Sequence, residues 1–354
     1  MSKTTRFTYT SAIPFRKTLC PAFLNASRRH KTRGYVENIL KMTETVRKSV
    51  LMPARKDLDS IKITHKANDN MRDADAKNIT IQTDRQCESL LNSQLKQQYP
   101  NALIIGEEMF GDMTPAEKRV LLQQAMMETD RPVILTDALD GTRDFRNGGD
   151  GFAVMAAVIE RGETVAAVIH RCTNDACPDA IGETLTYERG DGVRLNGKKV
   201  KSLNNRNFPH DPSHLRGYAG FEFISAKHGK DSAHYPDLAA DFDSLSDLWT
   251  CSKFTGDMIT GRHHFALIAP PVDMFDYPAV IAIVEQSGGT ARFLDGTPAS
   301  FAEMVKRQSF VTGQQKPSLA DTLVLAVSNE AFNAVRNTII TKRPIARKRP
   351  NFLK

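Results

Sequence analysis

Apolar positions in residues 36–52 (VENILKMTETVRKSVLM) recur at helical spacing, and Pro53 ends the pattern. Ser60–Lys66 and Asn78–Gln82 read as short strands, and Thr83–Gln97 as a helix with Leu90, Leu91 and Leu95 on one face. Leu103–Ile105 is a short apolar strand running into Gly106-Glu107-Glu108. Thr114 is placed to cap a helix over Pro115–Glu128, with proline at its first position. Val133–Thr136 reads as a strand ending at Asp137. Phe152–Ile159 and Thr164–His170 flank Arg161-Gly162-Glu163, a hairpin pattern, and Thr184–Glu188 with Gly192–Leu195 suggests a second, followed by an Asn196-Gly197 turn. Residues 203–215 are polar and contain prolines, so they read as a loop and a boundary between sub-domains. Beyond it the pattern predicts a strand at Gly220–Ser225, helices near 237–248 and 252–260, and a helix from Pro278 to Gln286 stopped by Gly288-Gly289. A strand at Thr322–Val327 and a helix from Asn329 to about 338 follow. Helices and hairpins mixed in this way predict an α/β or α+β fold with a mixed sheet.

Composition narrows the class. The 354 residues are 40% hydrophobic and 25% charged, ordinary for a globular chain. No apolar run reaches the length of a transmembrane helix, so no membrane partner is expected. Cys20, Cys87, Cys172, Cys177 and Cys251 are too scattered for a disulfide framework or a zinc signature and read as reduced thiols. The net charge of +7 hides an asymmetry: residues 1–36 carry eight Lys/Arg and residues 341–354 six, with no acid in either stretch. The remainder holds 34 basic against 41 acidic residues, so an acidic body carries two basic ends. The first stretch reads as a solvated arm, with a removable transit peptide as the alternative. A cytoplasmic location is expected, or an organelle if that segment is a transit peptide. The tail KRPIARKRPNFLK has the charge to touch nucleic acid, but no folded nucleic-acid motif accompanies it.

Candidate chemistry lies in four acidic clusters, each adjoining an apolar segment: Gln82-Thr83-Asp84, Gly106-Glu107-Glu108, Asp137-Ala138-Leu139-Asp140-Gly141-Thr142 and Val272-Asp273-Met274-Phe275-Asp276. Asp137 and Asp140, with the Leu139 carbonyl between them, offer hard oxygen ligands of the kind Mg²⁺ or Ca²⁺ takes. Gly141 lets a phosphate approach backbone amides, and Thr142 adds a hydroxyl that can hold a water. Any one cluster alone reads more readily as a solvated turn or plain surface. Together they would repel one another without cations between them, which points to a multi-metal site acting on a phosphate ester.

These stretches resemble the inositol monophosphatase family of Mg²⁺-dependent, lithium-sensitive phosphatases: QTDRQCE (82–88), IIGEE (104–108), TDALDGTRDF (136–145), GFAVMAAVIERGETVAAVIH (151–170), ETLTYERGDGVRLNGKKV (183–200) and DYPAVIAIVEQSGG (276–289). The resemblance spans roughly residues 36–338. It implies a layered α/β/α/β/α sandwich of the inositol monophosphatase and fructose-bisphosphatase type. It divides the chain into a basic arm (1–35), a metal-binding sub-domain (36–202), a second sub-domain completing the active site (203–338) and a basic tail (339–354). Glu107, Asp137 and the Leu139 carbonyl would hold one Mg²⁺, and Asp137, Asp140 and Asp276 a second. A third, weaker ion would lean on Glu107. Thr142, hydrogen-bonded to Asp84, would help Glu107 activate water, and Asp140, Gly141 and Thr142 would line the phosphate site. A homodimer is implied, with a small phosphate ester as substrate.

The chain departs from the family at Ala138, Arg143 and Phe275, where proline, a hydroxyl residue and tryptophan are usual. None of these removes a ligand. Arg143 would bind substrate or pair with Asp144. Ala269 stands where inositol-specific members carry a substrate-binding glutamate, if the alignment has no gap, and His263 and His264 nearby read as surface residues. The expected function is a phosphomonoesterase on an inositol monophosphate-like metabolite. Histidinol phosphate, fructose bisphosphate and a 3′-phosphonucleotide stay open as substrates. A non-catalytic regulatory or RNA-associated protein on the same fold is the alternative of another class, and a Ca²⁺-stabilised structural protein a third.

Overall fold

A computed structural model describes residues 21–61, 63–65, 79–173, 182–209, 211–220, 238–247, 250–269, 272, 274–308 and 319–342. The helix expected at 36–52 is longer: α1 runs Pro21–Val46 and passes through a π turn at Arg47–Leu51 into α2, Met52–Arg55. Pro53 lies in the first turn of α2, where its missing N–H is tolerated. Tyr35, Ile39, Met42 and Val46 form the buried stripe of α1. A two-stranded pair, β1 (Ile63–His65) and β2 (Ile79–Ile81), leads into α3 (Gln82–Gln98).

Among the described residues, seven strands make the larger sheet. They are β3 (Leu103–Gly106), β4 (Val133–Asp140), β5 (Ala153–Glu160), β6 (Glu163–Arg171), β7 (Thr184–Glu188), β8 (Gly192–Leu195) and β9 (Lys198–Lys199), paired in that order. Only β3 and β4 run parallel. The β5–β6 hairpin turns at Arg161 and Gly162, both with positive φ as such a turn demands. Two short helices, α4 (Glu107–Gly111) and α5 (Pro115–Met127), connect β3 to β4, and Thr114 caps α5 as expected, in a capping box with Glu117. Helix α6 (Thr142–Arg146) follows β4.

The smaller sheet has the order β11-β10-β12-β14-β13, from β10 (Arg216–Ala219), β11 (Ser244–Asp247), β12 (Phe265–Ile268), β13 (Thr290–Phe293) and β14 (Leu323–Ala326). Its helices are α7 (Cys251–Thr260), α8 (Tyr277–Gln286), α9 (Phe301–Lys306) and α10 (Asn329–Lys342). The strand expected at Gly220–Ser225 lies, Gly220 apart, outside the described residues, and β10 at Arg216–Ala219 precedes it. One expectation fails here. The helix placed near 237–248 is a 3-10 turn at Leu238–Asp241 followed by β11. Its helical apolar spacing is overridden because Ser244–Asp247 pairs with β10 in parallel register.

Both faces of the large sheet are covered. Along β5, Val154, Ala156 and Val158 pack with α1 and α3, while Met155, Ala157 and Ile159 face the core shared with α8 and the smaller sheet. This is why β5 reads as an unbroken apolar run. Helix α8 is buried from Tyr277 to Val284 and lies between the two sheets, touching β5, β6 and β7 on one side and β13 and β14 on the other. Helix α10 packs on β14. The layers are therefore α1/α3, large sheet, α7/α8, small sheet and α10, which is the expected α/β/α/β/α sandwich.

Candidate active site

The site is built at the C-terminal ends of β3 and β4. Asp137 lies opposite Met155 and Asp140 opposite Ala153, so three steps along β4 meet two along β5. In a regular strand, residues three apart point to opposite faces. The extra residue of this β-bulge undoes that alternation and lets both carboxylates serve one side. The sequence pattern ended the strand at Asp137, whereas it runs on through the bulge to Asp140. Asp137 Oδ1 accepts the Leu139 N–H at 2.8 Å, which ties the carboxylate to the peptide just ahead of the Leu139 carbonyl.

Gly141 follows at φ +81°, and a Cβ there would come within 2.7 Å of Thr250 Cγ2. Only glycine suits the position on both counts. Thr142 then opens α6, with its Oγ1 3.1 Å from Asp84 Oδ1 and 3.1 Å from the Leu139 carbonyl oxygen. One hydroxyl proton serves either acceptor in turn. Asp144 accepts the Gly151 N–H, so it braces the loop into β5.

Two further elements close around these groups. Thr250 caps α7, and the first two amides of that helix point at Asp140: the Cys251 N–H donates to Oδ1 at 3.3 Å and the Ser252 N–H to Oδ2 at 3.1 Å. Asp276 enters from the N-terminal end of α8. One ligating atom each of Asp140, Cys251 and Asp276 lies within 4.8 Å of the others. Glu107, half-buried at the start of α4, is close enough to act electrostatically on both Asp137 and Asp140.

The electrostatics follow from this crowding. Burial pushes the Asp137 carboxyl well above the ordinary carboxylate range, and Glu107, Asp276 and Asp140 add to the effect. Burial also raises Asp140, to about 7, against the pull of the Ser252 and Cys251 amides. Burial drives the Cys251 thiol upward too, with Asp276 and Asp140 adding. A cation set among carboxylates buried in this way favours their ionised form, and the carboxylate and carbonyl oxygens of this donor set suit Mg²⁺.

All the acids singled out in the sequence for catalysis or metal binding thus converge, and Thr142 meets Asp84. The neighbouring guesses fare less well. His264 is buried, not superficial: its Nδ1 accepts the Arg216 N–H at 3.0 Å, and it knits β10 to β12. His263 stacks on Tyr218 with ring centroids 4.2 Å apart and lies 3.6 Å from Asp257. Sequence reasoning also passed over Glu88, whose carboxylate accepts the Glu108 N–H at 2.7 Å and the Met109 N–H at 2.9 Å. It thereby caps α4, the helix that Glu107 begins. Gly106 makes room for it, since a Cβ there would fall 2.4 Å from the Glu88 carboxyl carbon. The available signal was that Glu88 follows Asp84 by four, one helical turn along the same face.

The carboxylates thus gather where β3, the edge strand of the large sheet, and its neighbour β4 end, and the comparisons give this layered arrangement its family. The chain belongs to the inositol monophosphatase family, which it matches over residues 36–332. It is 22% identical over 224 residues to the fructose-1,6-bisphosphatase/inositol-1-monophosphatase of Thermotoga maritima, covering 63% of this chain and 75% of that one. With inositol monophosphatase 3 of Solanum lycopersicum it shares 32% identity over 124 residues, which is 35% of this chain and 40% of the relative. Among solved structures, the extragenic suppressor protein suhB of Bartonella henselae superposes with a TM-score of 0.62 at 16% identity, over 88% of this chain and 100% of that one.

Proposed function

We propose that this chain is a Mg²⁺-dependent phosphomonoesterase that hydrolyses a small phosphorylated metabolite, inositol monophosphate-like in character, by direct attack of water. The observation that carries the reading is the convergence of Glu107, Asp137, Asp140 and Asp276 beside the Thr142–Asp84 hydrogen bond. A surface cluster of acids needs no such hydroxyl, and a non-catalytic descendant has no use for the set.

Glu107, Asp137 and the Leu139 carbonyl would hold one Mg²⁺, and Asp137, Asp140 and Asp276 a second. Such ions lower the pKa of water and neutralise phosphoryl oxygens. Glu107 and the Thr142 hydroxyl take and pass the proton of the attacking water, with Asp84 orienting Thr142. The Gly141 and Thr142 amides, at the start of α6, hold the phosphate. Asp140 is held in its turn by the first amides of α7, so substrate phosphate and acid share one rigid corner. Ala269, half-buried after β12, stands seven residues before Asp276, where, counted without a gap, an inositol-specific member carries its substrate-binding glutamate. The name of the Thermotoga relative covers both a bisphosphatase and a monophosphatase, which favours breadth at that end. A homodimer is part of this proposal. Among the described residues no helix is long and apolar enough to cross a membrane.

The test is phosphate release, with and without Mg²⁺, from inositol 1-phosphate, histidinol phosphate, fructose 1,6-bisphosphate and adenosine 3′,5′-bisphosphate. Mg²⁺-dependent turnover of one of them, reduced by about 10³-fold or more in Asp137→Asn, is the expected result. Undiminished turnover in the variant overturns the metal assignment.

A further inference from the structure

Cys251 begins α7 and puts sulfur among the oxygen donors. Its Sγ lies 3.5 Å from Asp276 Oδ2, and an oxygen of Asp140 completes a group whose members all lie within 4.8 Å of one another. The three side chains come from the end of β4, the start of α7 and the residue before α8. All are held by their elements: Asp140 by two amides, Cys251 by the capped first turn of its helix.

Coordination geometry can be set against that separation. A zinc–sulfur bond of about 2.3 Å and a zinc–oxygen bond of about 2.0 Å at the tetrahedral angle place sulfur and oxygen about 3.5 Å apart. Cys251 Sγ and Asp276 Oδ2 already stand at that distance. Mg²⁺ requires near-octahedral oxygen at about 2.0–2.1 Å and draws nothing from a thiol. For Mg²⁺ alone, an alanine or serine would serve as well as cysteine.

We propose that Cys251, Asp140 and Asp276 form a mixed sulfur–oxygen site that takes a thiophilic divalent cation, Zn²⁺ or Cd²⁺, in preference to Mg²⁺. The proposal rests on the reading above that Asp140 and Asp276 face a cation. Binding releases the thiol proton to water and forms one metal–sulfur bond, and no electron changes hands. A thiophilic ion seated there occupies two of the carboxylates hydrolysis requires, so it competes with Mg²⁺ and lowers turnover. Cys87 and Cys172, also buried, belong to the layer packed with α1 and α3, and among the described residues neither joins a group of metal-ligating side chains.

The experiment titrates the metal-free full chain with Cd²⁺ and follows the ultraviolet thiolate-to-cadmium charge-transfer band. It compares wild type with Cys251→Ala, Cys251→Ser and the control Cys87→Ala, each checked for fold by circular dichroism. Mn²⁺ binding, measured by calorimetry, reports the oxygen ligands alone. The proposal expects a band in wild type and Cys87→Ala that is lost in both Cys251 variants, Cd²⁺ affinity down by about tenfold or more, and unchanged Mn²⁺ affinity. A band of equal amplitude and affinity in the Cys251 variants overturns it, because the sulfur then comes from another cysteine and the 3.5 Å contact is only a thiol–carboxylate hydrogen bond. If Mn²⁺ fails to bind while the Cys251-dependent band appears, the Mg²⁺ reading falls and the mixed site stands. If Mn²⁺ binds and the band ignores Cys251, the mixed site falls alone. If neither is seen, both fall.

Discussion

Glu88 meets the site through another element, the first turn of α4. A carboxylate buried to this degree is raised by desolvation, and the two amides it accepts from α4 only partly offset that. Its position makes sense if its task is to aim the first turn of α4, where Glu107 sits. Replacing Glu88 with alanine leaves the Glu108 and Met109 amides without this acceptor and frees that turn. The expected outcome is a fall in kcat of about tenfold to 100-fold, with KM little changed and fold retained by circular dichroism. Glu88→Gln keeps one acceptor oxygen and should recover part of the loss. A larger effect on KM than on kcat would assign Glu88 to substrate binding instead.

Among the elements, the packing of α1 on the large sheet carries a titratable group inside it. His170 on β6 is buried, with Nδ1 2.8 Å from Thr43 Oγ1 and Nε2 3.6 Å from Glu44 Oε2. Desolvation lowers its pKa to about 4, against the opposing pull of Glu44. In the unfolded chain the imidazole titrates at about 6.5. Between those two values the unfolded state binds a proton that the folded state refuses, so stability falls as pH drops through this window and is whole above it. The shift corresponds to ~3 kcal/mol across the window. Urea unfolding at pH 7 and at pH 4.5 should show most of that loss in wild type and a flatter dependence in His170→Gln. An identical pH dependence in the variant would place the titration elsewhere.

The elements also show where local pattern prevails and where it yields. The β5–β6 hairpin, the α5 cap and the α8 helix are local statements: a turn with positive φ, a Thr-x-x-Glu box, a helix started by proline. Each depends on neighbours within a few residues, so each was readable. Strand β11 is not local. Its residues satisfy helical spacing, and only the partner strand β10 decides otherwise. Strands β12 and β13 escaped notice for the same reason, being four residues each and paired with strands distant in sequence.

At the scale of the molecule, the groups proposed for catalysis come from α3, the β3–α4 junction, the bulged end of β4 and the start of α8, with α7 pressing on them. The charge is arranged around this acidic centre. Residues 1–20 and 343–354 together carry nine of the 48 basic residues and no acid, so without them the formal charge passes from +7 to −2. A chain lacking both segments should keep its kcat/KM toward a small phosphate ester, because none of the groups proposed for catalysis lies in them. It should lose salt-dependent retention on a polyanion such as heparin. Loss of turnover with intact fold would mean that an end reaches the active site.

Much was written in the order of the amino acids. The four acidic clusters, the glycine at 141 and the hydroxyl at 142 could be read directly, because their chemistry is a property of residue type and short spacing. The layered fold was legible through the family resemblance. Other facts required the chain to be folded. The bulge that turns Asp137 and Asp140 to one side is a mismatch between two strands and exists only when they pair. Glu88 reaches α4 only because Gly106 clears its path, and Cys251 meets Asp276 only because α7 and α8 pack together. Side-chain identity states what a group can do, and packing across distant segments decides what it is near.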